Sequence, residues 1–209
     1  EISCSLVGSE MCIRDSWMPD PKSRDIIGLG IRDDRAHWYI QGHLGSTWKN
    51  GQYYRTRDLI YVRPAFEDLL TRLQTDYIDL YYLHRINSSV SFEAVAQVMG
   101  RLIQEGLIRG WGMSQVSAET LAKAHAVTPV TAVQNLYNML ERDCEADIFP
   151  FCLEHGIGVV PFSPVASGFL SGKITADTQF EKVDDVRNWV PQLSKENIKA
   201  NQPVLKVIS

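Results

Sequence analysis

The chain has 209 residues, a formal net charge of -4 and a pI near 5.7. That acidic balance argues against a nucleic-acid partner, which calls for a basic face, and no apolar run approaches the roughly 20 residues of a membrane helix. With 44% hydrophobic and 22% charged residues, the composition fits an ordinary soluble domain with one sizeable core.

The first stretch, Glu1 to Ser16, reads EISCSLVGSEMCIRDS. It has neither helical nor strand periodicity, and it lacks the basic start and apolar centre of a signal peptide. It resembles the translation of a sequencing-adapter remnant. Residues 1–16 are therefore expected to be foreign, with one native domain over residues 17–209.

From about residue 37, short apolar runs alternate with longer amphipathic ones. A strand is expected at His37 to His43, followed by a loop rich in Gly and Asn, GSTWKNGQYYRTRD. Ile60 to Leu73 carries Val62, Phe66, Leu69, Leu70 and Leu73 at helical spacing. Tyr77 to His84 is a nearly continuous apolar strand, as in a parallel sheet covered on both faces. Ser91 to Glu105 is a helix with Ser91 placed to cap it and Gly106 to end it. Ile108 to Ser114 is a strand, and Ser117 to Ala126 a helix. Val130 to Asn135 is a strand, Asp143 to His155 a helix closed by Gly156, and Ile157 to Phe162 a strand. A polar loop then leads to a helix that begins at Ser194.

Strand alternating with helix, at crossover lengths that suit parallel pairing, predicts an α/β protein. An open doubly wound sheet and a closed eight-stranded barrel both remain open on this pattern. No G-x-G-x-x-G follows a strand, which lowers the first option. About five strands are visible, so a barrel is incomplete. Each strand ends in polar residues: Gln41 and His43, His84 and Arg85, Ser114 and Gln115, Gln134 and Asn135, Ser163 and Pro164. Any one of these alone is more simply a cap or a loop anchor. Several at equivalent ends of a barrel would converge on one mouth, which makes them a site hypothesis. GFLSGK, from Gly168 to Lys173, has three residues where the phosphate-loop pattern needs four, and Ile174 follows it. The cysteines match no zinc spacing, and Cys144 and Cys152 read as buried thiols.

At DYIDLYYLHRI the sequence resembles the aldo-keto reductases. The likeness continues through IQEGLIRGWGMSQVS, TAVQNLYNMLERD, GIGVVPFSPVASGFLSGKI and LSKENIKANQP, covering about Asp76 to Pro203. The resemblance implies a (β/α)8 barrel, here incomplete. It further implies an NADP(H)-dependent oxidoreductase that reduces aldehydes or ketones, small carbonyl substrates, in the cytoplasm. It makes His84 the histidine that polarises the substrate carbonyl. Ser114, Gln115 and Gln134 would hold the nicotinamide carboxamide, and Phe162 would stack on the ring. Ser163, Pro164, Val165, Ser167 and Gly168 would wrap the pyrophosphate. Gln115 replaces the usual Asn, and Val165 the commoner Leu.

The likeness fails at three catalytic positions. The family's acid is a Tyr, supported by a Lys and an Asp. Trp17 falls at or near the Tyr position, and the Asp position falls in the adapter-like stretch. His43 stands in place of the Lys, and it cannot supply a permanent positive charge. Residues 17–74 resemble a different subgroup from the later half, which suggests a join near Thr75 to Tyr77. Weak catalysis is expected, or a cofactor-binding module without useful turnover. The resemblance does not reach the phosphate-binding loop that follows the final strand in the family, and the unpaired edges of an incomplete barrel predict poor solubility.

Overall fold

A computed structural model describes residues 6–7, 10–14, 21–44, 47–49, 52–54, 62–84, 91–180 and 185–208. In chain order the elements are β1 (Leu6–Val7), β2 (Glu10–Arg14), α1 (Pro21–Ile31), β3 (Trp38–Leu44), β4 (Thr47–Lys49) and β5 (Gln52–Tyr54). Then come α2 (Val62–Leu73), β6 (Ile78–His84), α3 (Phe92–Gln104), β7 (Ile108–Ser114) and α4 (Ala118–Val127). The last are β8 (Ala132–Gln134), α5 (Ile148–His155), β9 (Gly158–Val159) and α6 (Lys195–Ile208). The main sheet has the order β1-β2-β3-β6-β7-β8-β9. Its pairs are parallel from β2 onward, as the alternation of strand and helix predicts.

The caps lie where the sequence puts them. Ser91 accepts from the Ala94 N–H at 3.2 Å and Ser117 from the Thr120 N–H at 3.2 Å. Gly106 and Gly156 end α3 and α5 at φ of 73° and 66°, a conformation that costs a glycine little.

Four regions differ from the sequence expectation. β2, within the stretch read as formless, lies parallel to β3 with Met11 opposite Trp38. An open strand edge offers N–H and C=O groups to any extended segment, so pairing there needs no alternating pattern. β4 and β5 form an antiparallel hairpin inside the run read as loop, with Trp48 opposite Tyr53. The Asn50-Gly51 dipeptide between them is a strong hairpin signal in its own right. The helix expected over Asp143 to His155 is a short 3-10 turn, Asp143–Glu145, followed by α5. Asp147 interrupts it by accepting from the Ile148 N–H at 2.7 Å. The strand expected over Ile157 to Phe162 is shorter, β9 at Gly158–Val159, although the Val160 N–H still donates to the Val133 carbonyl at 2.8 Å.

α1 was not legible in the sequence at all. Its buried positions, Arg24, Gly28 and Ile31, include a charge and a glycine, so no apolar stripe appears. The packing needs that glycine. A Cβ on Gly28 would lie 2.4 Å from the Arg72 carbonyl oxygen, so α1 meets α2 backbone to backbone.

The chain divides into two compact units. The first is Glu1–Gln134 with Asp147–Val160, and the second is Asn135–Ala146 with Pro161–Ser209. In the first, Phe66, Leu69 and Leu73 of α2 are buried, as are Tyr81, Trp111, Met113 and Val133 of the sheet. The Phe66 and Tyr81 rings meet edge to face at 4.9 Å. Leu80, Tyr82 and Ala132 cluster separately. The second unit has its own core of Ala166, Phe169, Ile174, Leu193 and Ile198. There Ser194 accepts from the Asn197 N–H at 3.2 Å at the start of α6.

The entry to β8 depends on a histidine. The Val130 N–H donates to His125 Nδ1 at 3.0 Å, so the proton of the neutral ring sits on Nε2. Burial, and then the neighbouring His155, hold the His125 pKa below the ordinary histidine value. A protonated ring would turn an N–H toward the Val130 donor. Because the folded pKa is lowered, the unfolded chain takes up the proton first as pH falls. The contribution to stability is therefore present above about pH 6.5 and is lost below it. His125→Asn, whose amide oxygen accepts at any pH, should flatten the fall in urea midpoint between about pH 7.5 and pH 5.5. An equally steep fall in that variant would refute the assignment.

Candidate functional site

Three parallel strands finish on one rung. His84 of β6 lies opposite Ser114 of β7, and Ser114 lies opposite Gln134 of β8. Ser114 is 2% exposed and Gln134 is 3% exposed. Burial of polar strand-end side chains is costly unless something accepts or donates there. The His84 side chain lies outside the described residues, so its place is fixed by backbone register alone.

Residues two apart on a strand share a face. The rung two residues back, Tyr82, Gly112 and Ala132, therefore faces the same side as Ser114 and Gln134. His43 of β3 lies opposite Tyr82 and joins that lower rung. Its ring stacks on Tyr82 with centroids 5.3 Å apart and planes at 15°. His43 Nε2 reaches Gln134 Oε1 at 3.2 Å, with both side chains buried. An amide oxygen only accepts, so this bond puts the His43 proton on Nε2. Gln115 turns the chain after the rung at φ 55°, and its N–H donates to the Gln134 carbonyl at 3.1 Å.

The remaining predicted residues belong to the second unit. Phe162 forms an isolated parallel bridge with Leu136, and its N–H donates to the Asn135 carbonyl at 3.1 Å. Ser163, Ala166, Ser167 and Gly168 all have positive φ, at 52°, 49°, 54° and 98°. Such left-handed conformations are costly outside glycine and collect where a backbone is shaped for a ligand. Successive backbone N–H groups in turns of this kind form concavities that suit anions. Pro164 and Val165 stand out from this loop, Val165 at 54% exposure.

Sequence reasoning missed Asn138, which is 7% exposed. Its Nδ2 donates to the Ser163 carbonyl at 3.1 Å, and its Oδ1 accepts from the Leu140 and Glu141 N–H groups at 2.9 and 3.2 Å. It thus ties the start of the loop to the segment after β8. Nearby, the Tyr137 hydroxyl donates to Glu145 at 2.7 Å, which holds its pKa above the usual phenol value. Tyr82 was also missed; its apolar strand context gave no hint that it stacks on His43. Among the described residues no group of three or more His, Cys, Asp or Glu side chains could hold a metal ion. None of the described helices is long and apolar enough to cross a membrane.

The structure is similar to a glycerol dehydrogenase from Gluconobacter oxydans, with TM-score 0.78 and 28% identity over 90% of this chain and 59% of that one. An aldo-keto reductase from Klebsiella pneumoniae, solved in complex with NADPH, matches with TM-score 0.64 and 25% identity over 85% of this chain and 59% of that one. A Bacillus halodurans aldo-keto reductase in its holo form gives TM-score 0.61 and 27% identity over 76% and 50% of the two chains. The chain thus spans 50 to 59% of the length of these proteins. The parallel sheet with its helices is accordingly an incomplete (β/α)8 barrel. The model of the aldo/keto reductase family matches residues 19–209, and the chain belongs to that family.

Proposed function

We propose that this chain is part of an NADPH-dependent oxidoreductase of the cytoplasm that reduces small aldehydes or ketones to alcohols. The observation that carries the reading is the strand-end register of His84, Ser114 and Gln134, with the Ser114 and Gln134 side chains buried. Residues 17–209 are the barrel portion in this reading, and residues 1–16 are foreign to it.

The residues present fit a nicotinamide coenzyme. Ser114 and Gln134 are buried polar groups with the hydrogen-bonding capacity a carboxamide needs. The loop with left-handed residues at Ser163, Ala166, Ser167 and Gly168 is the kind of backbone that suits a pyrophosphate. When bound, the coenzyme supplies a hydride. The chain's own residues do the rest by orientation. Ser114, Gln115 and Gln134 would hold the carboxamide, Phe162 would stack on the ring, and Ser163, Pro164, Val165, Ser167 and Gly168 would bind the phosphates. His84 donates a hydrogen bond to the substrate oxygen as negative charge develops there. His43 occupies the lysine position.

That position also favours a second reading, a cofactor-binding module with little turnover. An imidazole bonded to Gln134 is not the permanent cation that a lysine would place beside a catalytic acid. The two readings separate in one experiment. The chain is titrated with NADPH and NADH by fluorescence, and NADPH oxidation is then followed with a generic aldehyde. The expected result is NADPH binding with slow, aldehyde-dependent oxidation. Binding without oxidation selects the module, and no binding of either nucleotide sinks both readings.

A further inference from the structure

The substitution at position 43 has a specific structural consequence. His43 is 5% exposed and its ring is held from one side by Tyr82. Its Nε2 bonds to the side-chain oxygen of Gln134, which belongs to a strand three places away in the sheet. The room for this comes from Gly112 on β7, one of the two strands between. A Cβ there would lie 2.4 Å from Tyr82 Cε1 and 2.7 Å from the Ala132 carbonyl oxygen, so the Tyr82 ring lies over a position with no side chain. Tyr82, His43 and Gln134 therefore form one packed series ending at the rung that carries Ser114.

We propose that His43 is a positioning residue that fixes which way the Gln134 amide faces. With Oε1 held by the imidazole, the NH2 group of Gln134 is left to donate to a ligand. The Ser114 hydroxyl stands beside it on the same rung. Such a rung selects a carbonyl acceptor, and in the proposed function that acceptor is the carboxamide oxygen of the nicotinamide ring. The inference rests on that reading for its ligand but not for its hydrogen bond. His43 acts through Gln134 and touches no reacting atom, so it does not replace the family's lysine. The substitution trades an electrostatic role for an orienting one.

Two measurements test this. The first is the histidine ring nitrogen NMR spectrum of the chain without nucleotide, with His43 assigned by its loss in His43→Gln. His43 should be protonated at Nε2, and its ring shifts should move in Gln134→Leu. The second is the dissociation constant for NADP+. His43→Phe keeps a stacked ring without a donor and should bind about tenfold more weakly, as expected for one lost polar contact. His43→Gln retains an N–H donor and should recover most of the affinity. A ring protonated at Nδ1, or one indifferent to Gln134→Leu, overturns the proposal, as does equal NADP+ affinity in wild type and His43→Phe. If His43→Phe does not fold, the ring spectrum and His43→Gln still decide it. A wild-type chain with the expected spectrum that binds no NADP+ overturns the cofactor reading and the ligand assigned to Gln134, while the orienting bond stands.

Discussion

Replacing Asp79 with Ala should cost about 3–5 kcal/mol of stability, the range for removing one partner of a buried ion pair. Asp79 lies in β6, its side chain 1% exposed within an otherwise apolar run. Oδ2 accepts from Arg35 at 2.8 Å and from the Ile40 N–H at 2.9 Å, while Arg109 lies 3.1 Å from Oδ1. Arg35 in turn donates to the Trp38 and Tyr77 carbonyls and to Thr75 Oγ1. Arg35 and Arg109 also lie over the Tyr77 ring, at 3.9 and 4.4 Å from its centroid. The carboxylate thus takes over the β3 N–H just before the β3–β6 ladder begins at Gln41 and Leu80. The Ala variant would leave the Arg35 charge, 13% exposed, and the Ile40 N–H without that acceptor. The cost is read as a lower urea midpoint at unchanged m. Arg109 is 59% exposed and screened by water, so Arg109→Ala should cost under about 1 kcal/mol. Comparable losses in the two variants would contradict this division of roles. The network lies at the start of the strands, opposite the His84–Ser114–Gln134 rung. In a barrel that end serves stability rather than chemistry, so Asp79→Ala should leave nucleotide affinity unchanged in whatever fraction remains folded.

How far the sequence disclosed all this depended on which physical signal each part uses. β6 and α3 announced themselves by a nearly continuous apolar run and a helical stripe, because burial in this fold is that of a parallel sheet under helices. The Ser91 and Ser117 caps were equally plain, since a side-chain oxygen at the first turn has a local job. α1 was invisible because its contact with α2 uses Gly28, and a missing side chain leaves no mark in a hydrophobic pattern. The β4–β5 hairpin was passed over because its strands, Thr47–Lys49 and Gln52–Tyr54, are too short to show an alternating pattern. Of the site, Ser114 and Gln134 were legible as polar residues closing apolar strands. Their common rung was not, because register depends on neighbouring strands that a single run cannot reveal. Asn138 and Tyr82 escaped for related reasons. Asn138 ties its own turn to Ser163, 25 residues on, which only the fold reveals, and Tyr82 looks like any other aromatic residue in a buried strand. Position 43 was read as a lost lysine, whereas its bond to Gln134, 91 residues away, could come only from the fold.

Gly112→Ala is the second large effect, at about 3 kcal/mol, the upper part of the range for overpacking a core. The added methyl would lie 2.4 and 2.5 Å from Tyr82 Cε1 and Cδ1, and 2.7 Å from the Ala132 carbonyl oxygen. Nothing flexible lies there to yield. The Tyr82 ring is fully buried, and the third neighbour is backbone. Relief must come from displacing Tyr82, and His43 rests on that ring. The variant should therefore lose stability in urea and, in its folded fraction, also lose the Nε2 protonation signature of His43. A methyl at Gly42 has softer neighbours, at 3.0 Å from Tyr81 and 3.1 Å from a Leu69 methyl, and should cost less. Trimming the obstacle supplies the control. If the ring is what the methyl meets, Tyr82→Leu should be less harmful in the Gly112→Ala background than in wild type, a coupling that a double-mutant cycle measures directly. Strict additivity, or a Gly112→Ala chain within about half a kcal/mol of wild type, would mean that β7 can move away from β6. The glycine would then not be what holds the Tyr82, His43 and Gln134 side chains in line.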